Sequence, residues 1–268
     1  MELKGRTVVV TGASQGIGER LAERFAAAGA TVLVAARSAD KLAAVAERIG
    51  GEWIAVDLGD PAQVDGFAAA CVAKLGQVDV LVNNAGVETT EAFVTVERER
   101  LRAVARLNYE ATVLLTRDFL TPMLARGTGH IVQMSSLAGA IPFPGLAVYA
   151  GTKAGLTNFT ETLRLELRRT GVGLTVVSPG PVDTDMWGRL DTDGSPYPRP
   201  ALKRFRHLLF LPKVTPDEIA VATVRAVERN RPHVRLARRF NGFHYLNNAP
   251  RRLVGLALAG VRLRLPPG

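Results

Sequence analysis

Two residues that can move protons stand four positions apart near the middle of the chain, Tyr149 and Lys153 in the segment YAGTK. Residues i and i+4 share one face of a helix, so both side chains can meet a ligand lying along it. A free tyrosine, with a pKa of about 10, is a poor acid or base at neutral pH. A neighbouring ammonium favours the phenolate, so we expect Lys153 to lower the pKa of Tyr149. Taken alone, the same spacing also occurs on ordinary solvated helix faces.

A second group of residues is suited to binding phosphate. The segment TGASQGIG, Thr11 to Gly18, follows a β-branched run and opens a segment with helical spacing. Glycines at positions 12, 16 and 18 let backbone N–H groups approach a pyrophosphate, and the helix dipole favours its negative charge. The order strand, glycine turn, helix is what a dinucleotide site requires.

Elements that would position these groups alternate along most of the chain. Helical segments are predicted at about 18–29, 38–51, 60–76, 96–125, 148–170 and 215–230, with Ser38 as a cap of the second. Buried strands are predicted at about 6–12, 30–37, 52–58, 78–86, 129–136, 171–180 and 233–237. This alternation predicts an α/β fold, a Rossmann-type doubly wound parallel sheet of about seven strands with helices on both faces.

The chain of 268 residues is predicted to form one domain over 1–237, with a proline-rich substrate loop at about 184–213 and a C-terminal extension at 238–268. Residues 195–268 carry fifteen Lys and Arg against three Asp and Glu, and the preceding 194 carry nineteen against twenty-two. The excess positive charge therefore lies in the last quarter, where an acidic surface or anionic ligand would be favoured.

Several separated motifs, in their usual order, resemble those of the short-chain dehydrogenase/reductase family over about residues 5–236. Besides the glycine loop and YAGTK, they are Asp57, NNAG at 83–86, Asn108, SS at 135–136 and PGPVDT at 179–184. The resemblance implies an oxidoreductase that transfers hydride between a nicotinamide and a carbonyl or alcohol. Relatives in that family are commonly homodimers or homotetramers, built through the helices near 97–125 and 148–170.

The resemblance also assigns catalytic roles. Tyr149 is the general acid or base toward the substrate oxygen, and Lys153 tunes it and holds the nicotinamide ribose. Ser136 hydrogen-bonds the same substrate oxygen, with Ser135 as its rival for that role. Asn108 is expected to hold a water molecule that links Lys153 to solvent.

The same resemblance extends to cofactor contacts along the crevice. The adenine is expected beside Asp57 and Leu58, and the nicotinamide carboxamide beside Val182 and Thr184. The full predicted set is Gly12, Ser14, Gly16, Ile17, Gly18, Arg37, Asp57, Leu58, Asn83, Asn84, Ala85, Gly86, Tyr149, Lys153, Pro179, Gly180, Val182 and Thr184.

The residue after the second strand discriminates between the two nicotinamide cofactors. A carboxylate there suits the ribose hydroxyls of NAD, and an arginine suits the phosphate of NADP. Arg37 occupies this place, and a guanidinium pairs well with phosphate. NADP(H) is therefore favoured over NAD(H). In the alternative, Arg37 points to solvent and Asp40 serves a ribose; position 15 is Gln, where some NADP-using relatives carry a second basic residue.

The predicted substrate walls are apolar and carry no charge aimed at the carbonyl: Ile141, Phe143, Met186 and Trp187, beside Ser136 and Tyr149. A lipophilic ketone, aldehyde or secondary alcohol is the expected substrate. Two alternatives stay open, a 3-oxoacyl-thioester reductase and a non-catalytic regulatory protein that only binds the cofactor.

Composition and motif content also bear on the cellular compartment and on metal, nucleic-acid and membrane binding. The chain has one cysteine, Cys71, and no visible signal peptide or membrane-spanning run, which predicts a cytoplasmic protein. The four histidines show no metal spacing, so no metal is expected. The basic residues match no nucleic-acid reader motif. The extension could contact an anionic membrane surface peripherally or pack on a partner subunit.

Overall fold

The computed structural model describes residues 1–182 and 214–236, together with Pro200 and Arg204. Seven parallel strands form one sheet in the order β3-β2-β1-β4-β5-β6-β7. They are β1 Thr7–Thr11, β2 Thr31–Ala36, β3 Glu52–Ala55, β4 Val80–Asn83, β5 Gly129–Met134, β6 Val172–Ser178 and β7 His233–Arg235. The predicted doubly wound parallel sheet is confirmed, and β1 and β4 lie side by side where the strand order reverses.

Seven helices cover the sheet: α1 Gly16–Ala27, α2 Ala39–Ile49, α3 Pro61–Leu75, α4 Arg98–Ala105, α5 Ala111–Arg126, α6 Ala147–Glu166 and α7 Pro216–Glu228, counted over the described residues. One apolar cluster joins α1, α2 and α7 to one face of the sheet. A second cluster joins α3 and α5 to the other face. Neighbouring residues of β1 alternate between them, Val8 and Val10 in the first and Val9 in the second, as the twofold periodicity of a strand requires.

The long helix predicted over 96–125 is interrupted. Between α4 and α5 the backbone forms a π-helical turn over Arg106–Glu110, and Asn108 lies buried within it. The predicted helix 148–170 ends earlier, at Glu166, and Arg169 adopts a left-handed conformation (φ 67°) before β6. π turns of this kind are frequent at functional sites because they redirect one side chain without breaking the helix.

The helix caps agree with the sequence in part. Thr215 and Glu218 form a reciprocal capping box at the start of α7, and Asp60 accepts a hydrogen bond from Ala62 N at the start of α3. Ser38 occupies the predicted cap position of α2. Its side chain, however, makes no capping hydrogen bond, so that part of the prediction is wrong.

Within the described segments, no helix is both long and apolar enough to cross a bilayer. The predicted substrate loop at 184–213 lies outside the described residues apart from Pro200 and Arg204, and the extension at 238–268 lies outside them entirely. Thr184, Met186 and Trp187 therefore stay as sequence predictions.

Candidate functional site

A cavity of about 590 Å³ opens at the carboxyl ends of β1, β4, β5 and β6. A crevice at this edge, beside the point where strand order reverses, is where open α/β sheets bind ligands. It brings together most of the residues predicted for the cofactor and the substrate: Gly12, Gly16, Ile17, Gly18, Arg37, Asn84, Ala85, Gly86, Ser136, Ile141, Phe143, Tyr149, Lys153, Pro179, Gly180 and Val182.

The glycine loop is packed too closely against its neighbours to carry side chains. Gly12 has φ 65°, and a Cβ there would lie 2.8 Å from Ala85 Cα. A Cβ on Gly18 would lie 2.2 Å from Gly12 O. Both positions are therefore restricted to glycine, and the backbone at the N-terminus of α1 stays open toward the cavity.

The segment after β4 is tied to the glycine loop by hydrogen bonds. Asn84 Nδ2 donates to Thr11 O at 2.9 Å and to Gly12 O at 3.2 Å. Thr11 Oγ1 accepts from the backbone N–H groups of Asn84 and Ala85 at 3.0 and 3.1 Å. These bonds hold the two cofactor motifs as one rigid rim of the cavity.

Among the described residues, four that were predicted to contact the cofactor lie outside the cavity lining: Ser14, Asp57, Leu58 and Asn83. The Asn83 side chain donates to Thr116 Oγ1 and Gln133 Oε1, beneath α5 on the other side of the sheet. Leu58 is buried in the apolar cluster under α3 and α5. One carboxylate oxygen of Asp57 accepts from Gly59 N at 2.9 Å and so shapes its own turn. The side chains of Asn83, Leu58 and Asp57 thus stabilise the fold, whereas Asn84 both ties the glycine loop and lines the cavity.

Tyr149 and Lys153 lie on the cavity side of α6, as their spacing predicts. Lys153 is buried, with 4% of its surface exposed, and its Nζ donates to Met134 O at 2.7 Å. The same Nζ lies 5.8 Å from the centre of the Tyr149 ring. A Cβ on Gly86 would lie 3.2 Å from Asn108 Oδ1 and 3.4 Å from Lys153 Nζ, so the NNAG segment packs closely against both side chains.

The pKa of Tyr149 shifts opposite to the prediction from sequence. Burial raises the pKa of the phenol to about 12, and the negative charge of Glu88 adds to this, while a hydrogen bond with Ser136 opposes it. Burial also lowers the pKa of Lys153 to about 8. The prediction was wrong because it considered only the attraction of the ammonium, whereas desolvation of the phenolate is the larger effect here.

The two serines after β5 have different partners. Ser135 is buried, and its hydroxyl is within hydrogen-bonding distance of Lys153 O at 3.0 Å and Thr157 Oγ1 at 2.7 Å. Ser136 lines the cavity and hydrogen-bonds Tyr149. Both serines line the cavity, but Ser136 is the one that contacts Tyr149, whereas the Ser135 hydroxyl fastens the end of β5 to α6.

Asn108 is buried between the rim and α6. Its amide exchanges two hydrogen bonds with the backbone of Val87, at 2.9 and 2.8 Å, and donates to Thr152 Oγ1 at 3.3 Å. These bonds fix the chain directly after the NNAG segment. The expected water between Asn108 and Lys153 stays a prediction.

The cavity lining includes residues that the sequence analysis did not assign: Gln15, Glu88, Met134, Leu137 and Pro216. Glu88 corrects the expectation of an uncharged pocket, because its charge acts on Tyr149. The sequence could have indicated that Glu88 lies near the cavity, because Glu88 directly follows NNAG and Val87. Pro216 was not predictable, because it reaches the cavity from the first turn of α7.

These features fit a nicotinamide dinucleotide. Backbone N–H groups at a glycine-restricted helix N-terminus suit a pyrophosphate, and the cavity volume lies within the usual range of ligand-binding pockets. Arg37 lies at one end of the lining, and Ser136, Tyr149 and Lys153 lie along α6 and the end of β5. The residues present therefore match a ligand with phosphate at one end and a reacting centre at the other.

Comparison with known proteins agrees with this description. The family model described as short chain dehydrogenase matches residues 6–194. The 3-oxoacyl-acyl-carrier-protein reductase of Escherichia coli strain K12 is 33% identical over 195 residues, which cover 72% of this chain and 80% of that protein.

Two solved structures carry the same architecture. A metagenomic short-chain oxidoreductase in complex with NADP has a TM-score of 0.70 and 33% identity, covering 88% of this chain and 98% of that one. A short-chain dehydrogenase from Sphingobium yanoikuyae in complex with NADPH has a TM-score of 0.77 and 28% identity, covering 98% of both chains.

Proposed function

Since this chain belongs to the short-chain dehydrogenase family and is an oxidoreductase acting on carbonyl or alcohol groups, we propose that it uses NADP(H) and acts on a lipophilic ketone, aldehyde or secondary alcohol. The observation that carries the proposal is one continuous cavity with Arg37 at one end and the Ser136, Tyr149 and Lys153 side chains along it. The apolar walls Ile141, Phe143 and Leu146 favour a lipophilic substrate.

The proposed catalytic roles are those that the family resemblance implies, and the placement of these side chains around one cavity supports them. Ser136 would donate a hydrogen bond to the carbonyl oxygen, and Tyr149 would give its phenolic proton to the same oxygen. When bound, the nicotinamide supplies the hydride. The ammonium of Lys153 would hold the adjoining ribose and favour the phenolate that remains after proton transfer. In the alcohol-oxidising direction, the same tyrosine would accept the proton.

The cofactor preference can be tested by titrating the purified protein with NADPH and NADH while following nicotinamide fluorescence. We expect NADPH to bind at least about tenfold more tightly, because the charged hydrogen bonds of Arg37 reach only the extra phosphate. Arg37→Gln should remove this difference and leave NADH binding within about twofold. Tighter binding of NADH by the wild type would contradict the NADP preference.

A second candidate substrate class is a 3-oxoacyl thioester, favoured by the similarity to the Escherichia coli reductase. Parallel assays with a 3-oxoacyl thioester and a simple ketone of equal chain length separate the two. A higher kcat/KM for the thioester would select it over the free ketone. A protein that binds the cofactor but turns over neither substrate class would support the non-catalytic alternative.

Glu88 should affect the pH dependence of the reaction. Its negative charge raises the pKa of Tyr149. In Glu88→Gln, we therefore expect the alcohol-oxidation rate, which needs the phenolate, to rise at a lower pH than in the wild type. The pH profile of kcat/KM for oxidation measures this shift. A profile that moves to higher pH would show that Glu88 does not act on Tyr149 through its charge.

A further inference from the structure

A lysine outside the sequence motifs lies beside the phosphate end of the cavity. Lys41, in the first turn of α2, donates a hydrogen bond from Nζ to Gln15 Oε1 at 3.2 Å. Gln15 lines the cavity in the glycine loop, at the N-cap of α1, but makes no capping hydrogen bond to its own helix. The bond therefore connects α2 to the glycine loop across 26 residues of sequence.

The position of Lys41 is unfavourable for its own helix. The first turn of a helix carries partial positive charge, so a cation there is repelled and a carboxylate is preferred. Within the described residues, Lys41 has no ion-pair partner, and Gln15 is its one side-chain hydrogen-bond partner. Lys41 is exposed and lies next to Asp40 in the same turn, so it gains nothing from the dipole of α2 and is available to pair with an anion that approaches the start of this helix.

Arg37 lies nearby, directly after β2, and lines the same cavity. The glycine loop is fixed to this strand by a hydrogen bond from Ala13 N to Ala35 O at 3.2 Å. Arg37 and Gln15 thus line one corner of the cavity, and Lys41, outside the lining, is connected to that corner by its hydrogen bond to Gln15. With its carbonyl oxygen turned to Lys41, Gln15 keeps two N–H donors for another acceptor.

We propose that Lys41 is the second cation of the site for the phosphate on the adenosine ribose, acting directly and through Gln15, whose carboxamide it orients. The inference rests on the proposed NADP preference. A phosphate monoester carries close to two negative charges at neutral pH, more than one guanidinium neutralises. In this arrangement a lysine of α2 supplies the second positive charge, with Gln15 between the lysine and the phosphate.

The test uses nucleotides that lack the nicotinamide, so that its readout is binding and not turnover. Dissociation constants of adenosine 2′,5′-bisphosphate and of adenosine 5′-monophosphate, which differ only by the 2′-phosphate, are measured by calorimetry for the wild type and Lys41→Gln. Lys74→Gln is the matched control, because Lys74 is an exposed lysine that pairs with Glu52 outside the cavity lining. We expect Lys41→Gln to weaken binding of the 2′,5′-bisphosphate about five- to tenfold and binding of the monophosphate less than twofold. Lys74→Gln should change neither.

Two results would overturn the proposal for Lys41 alone. One is an unchanged affinity of Lys41→Gln for the bisphosphate, and the other is an equal loss of affinity for both nucleotides. Either result counts against Lys41 alone when the wild type prefers the bisphosphate. A wild type that binds the monophosphate as tightly as the bisphosphate would overturn the NADP preference as well. A second variant, Gln15→Leu, should lose part of its affinity for the bisphosphate. This substitution leaves Lys41 in place but removes the amide donors between Lys41 and the phosphate.

Discussion

Replacing Tyr149 by Phe is expected to reduce kcat by about three orders of magnitude and to leave the affinity for NADPH within about threefold. The change removes only the phenolic oxygen, so proton transfer is lost while the ring still packs beside Lys153. Steady-state turnover measures the first quantity and nicotinamide fluorescence the second.

The control for this variant is Tyr109→Phe. Tyr109 is an exposed tyrosine of the π turn whose ring packs edge-on against Phe159, outside the cavity lining. It should retain wild-type turnover. Turnover by Tyr149→Phe at more than about a tenth of the wild-type rate would exclude Tyr149 as the general acid.

Replacing Lys153 by Met is expected to reduce kcat by about two to four orders of magnitude and at the same time to stabilise the fold. Burial lowers the pKa of Lys153 from 10.5 to about 8. Below pH 8 the folded protein bears the full cost of the buried ammonium, on the order of 3 kcal/mol. Loss of the hydrogen bond to Met134 O offsets part of the gain, so we expect a net increase of about 1–2 kcal/mol in the free energy of unfolding at pH 7.

The pH dependence has a defined sign. Between pH 8 and 10.5 the unfolded chain holds the Lys153 proton that the folded protein has released. The stability of the wild type therefore rises with pH in this window relative to Lys153→Met, and the advantage of the variant shrinks. Urea unfolding at pH 7 and pH 10 measures both values, with Lys74→Met as a control for loss of an exposed lysine. A variant less stable than the wild type at pH 7 would show that the buried ammonium is net stabilising.

The seven strands and the shared face of Tyr149 and Lys153 were predictable from sequence because both depend on short-range periodicity. β-branched runs bounded by glycine define the strands, and a spacing of four places two side chains on one side of a helix. The π turn at Asn108 was not predictable. The π turn departs from α-helical periodicity over a single turn, which is too short to show in the sequence pattern. Asn108 in this turn hydrogen-bonds to Val87, a residue 21 positions away that local periodicity does not reveal.

The motifs identified the site more accurately than they assigned its individual side chains. Asn83 and Asn84 are adjacent in NNAG, but successive residues at the end of a strand point to opposite faces, so only Asn84 lines the cavity. The pKa of Tyr149 depends on burial and on Glu88, and neither follows from the spacing of YAGTK. Lys41 was missed because its contact with Gln15 joins two elements that no single motif contains.

The fastening of β5 to α6 has a consequence for redesign of this protein. Ser135 holds the Lys153 carbonyl from one side, and Gly139 approaches the same peptide so closely that a Cβ would lie 2.9 Å from Lys153 C. The helix that carries the reacting groups is thus anchored independently of the outer apolar walls Ile141 and Phe143. Mutant libraries confined to those walls can therefore change the substrate range while Tyr149 and Lys153 keep their positions. Libraries that include positions 135 or 139 would yield mostly inactive clones.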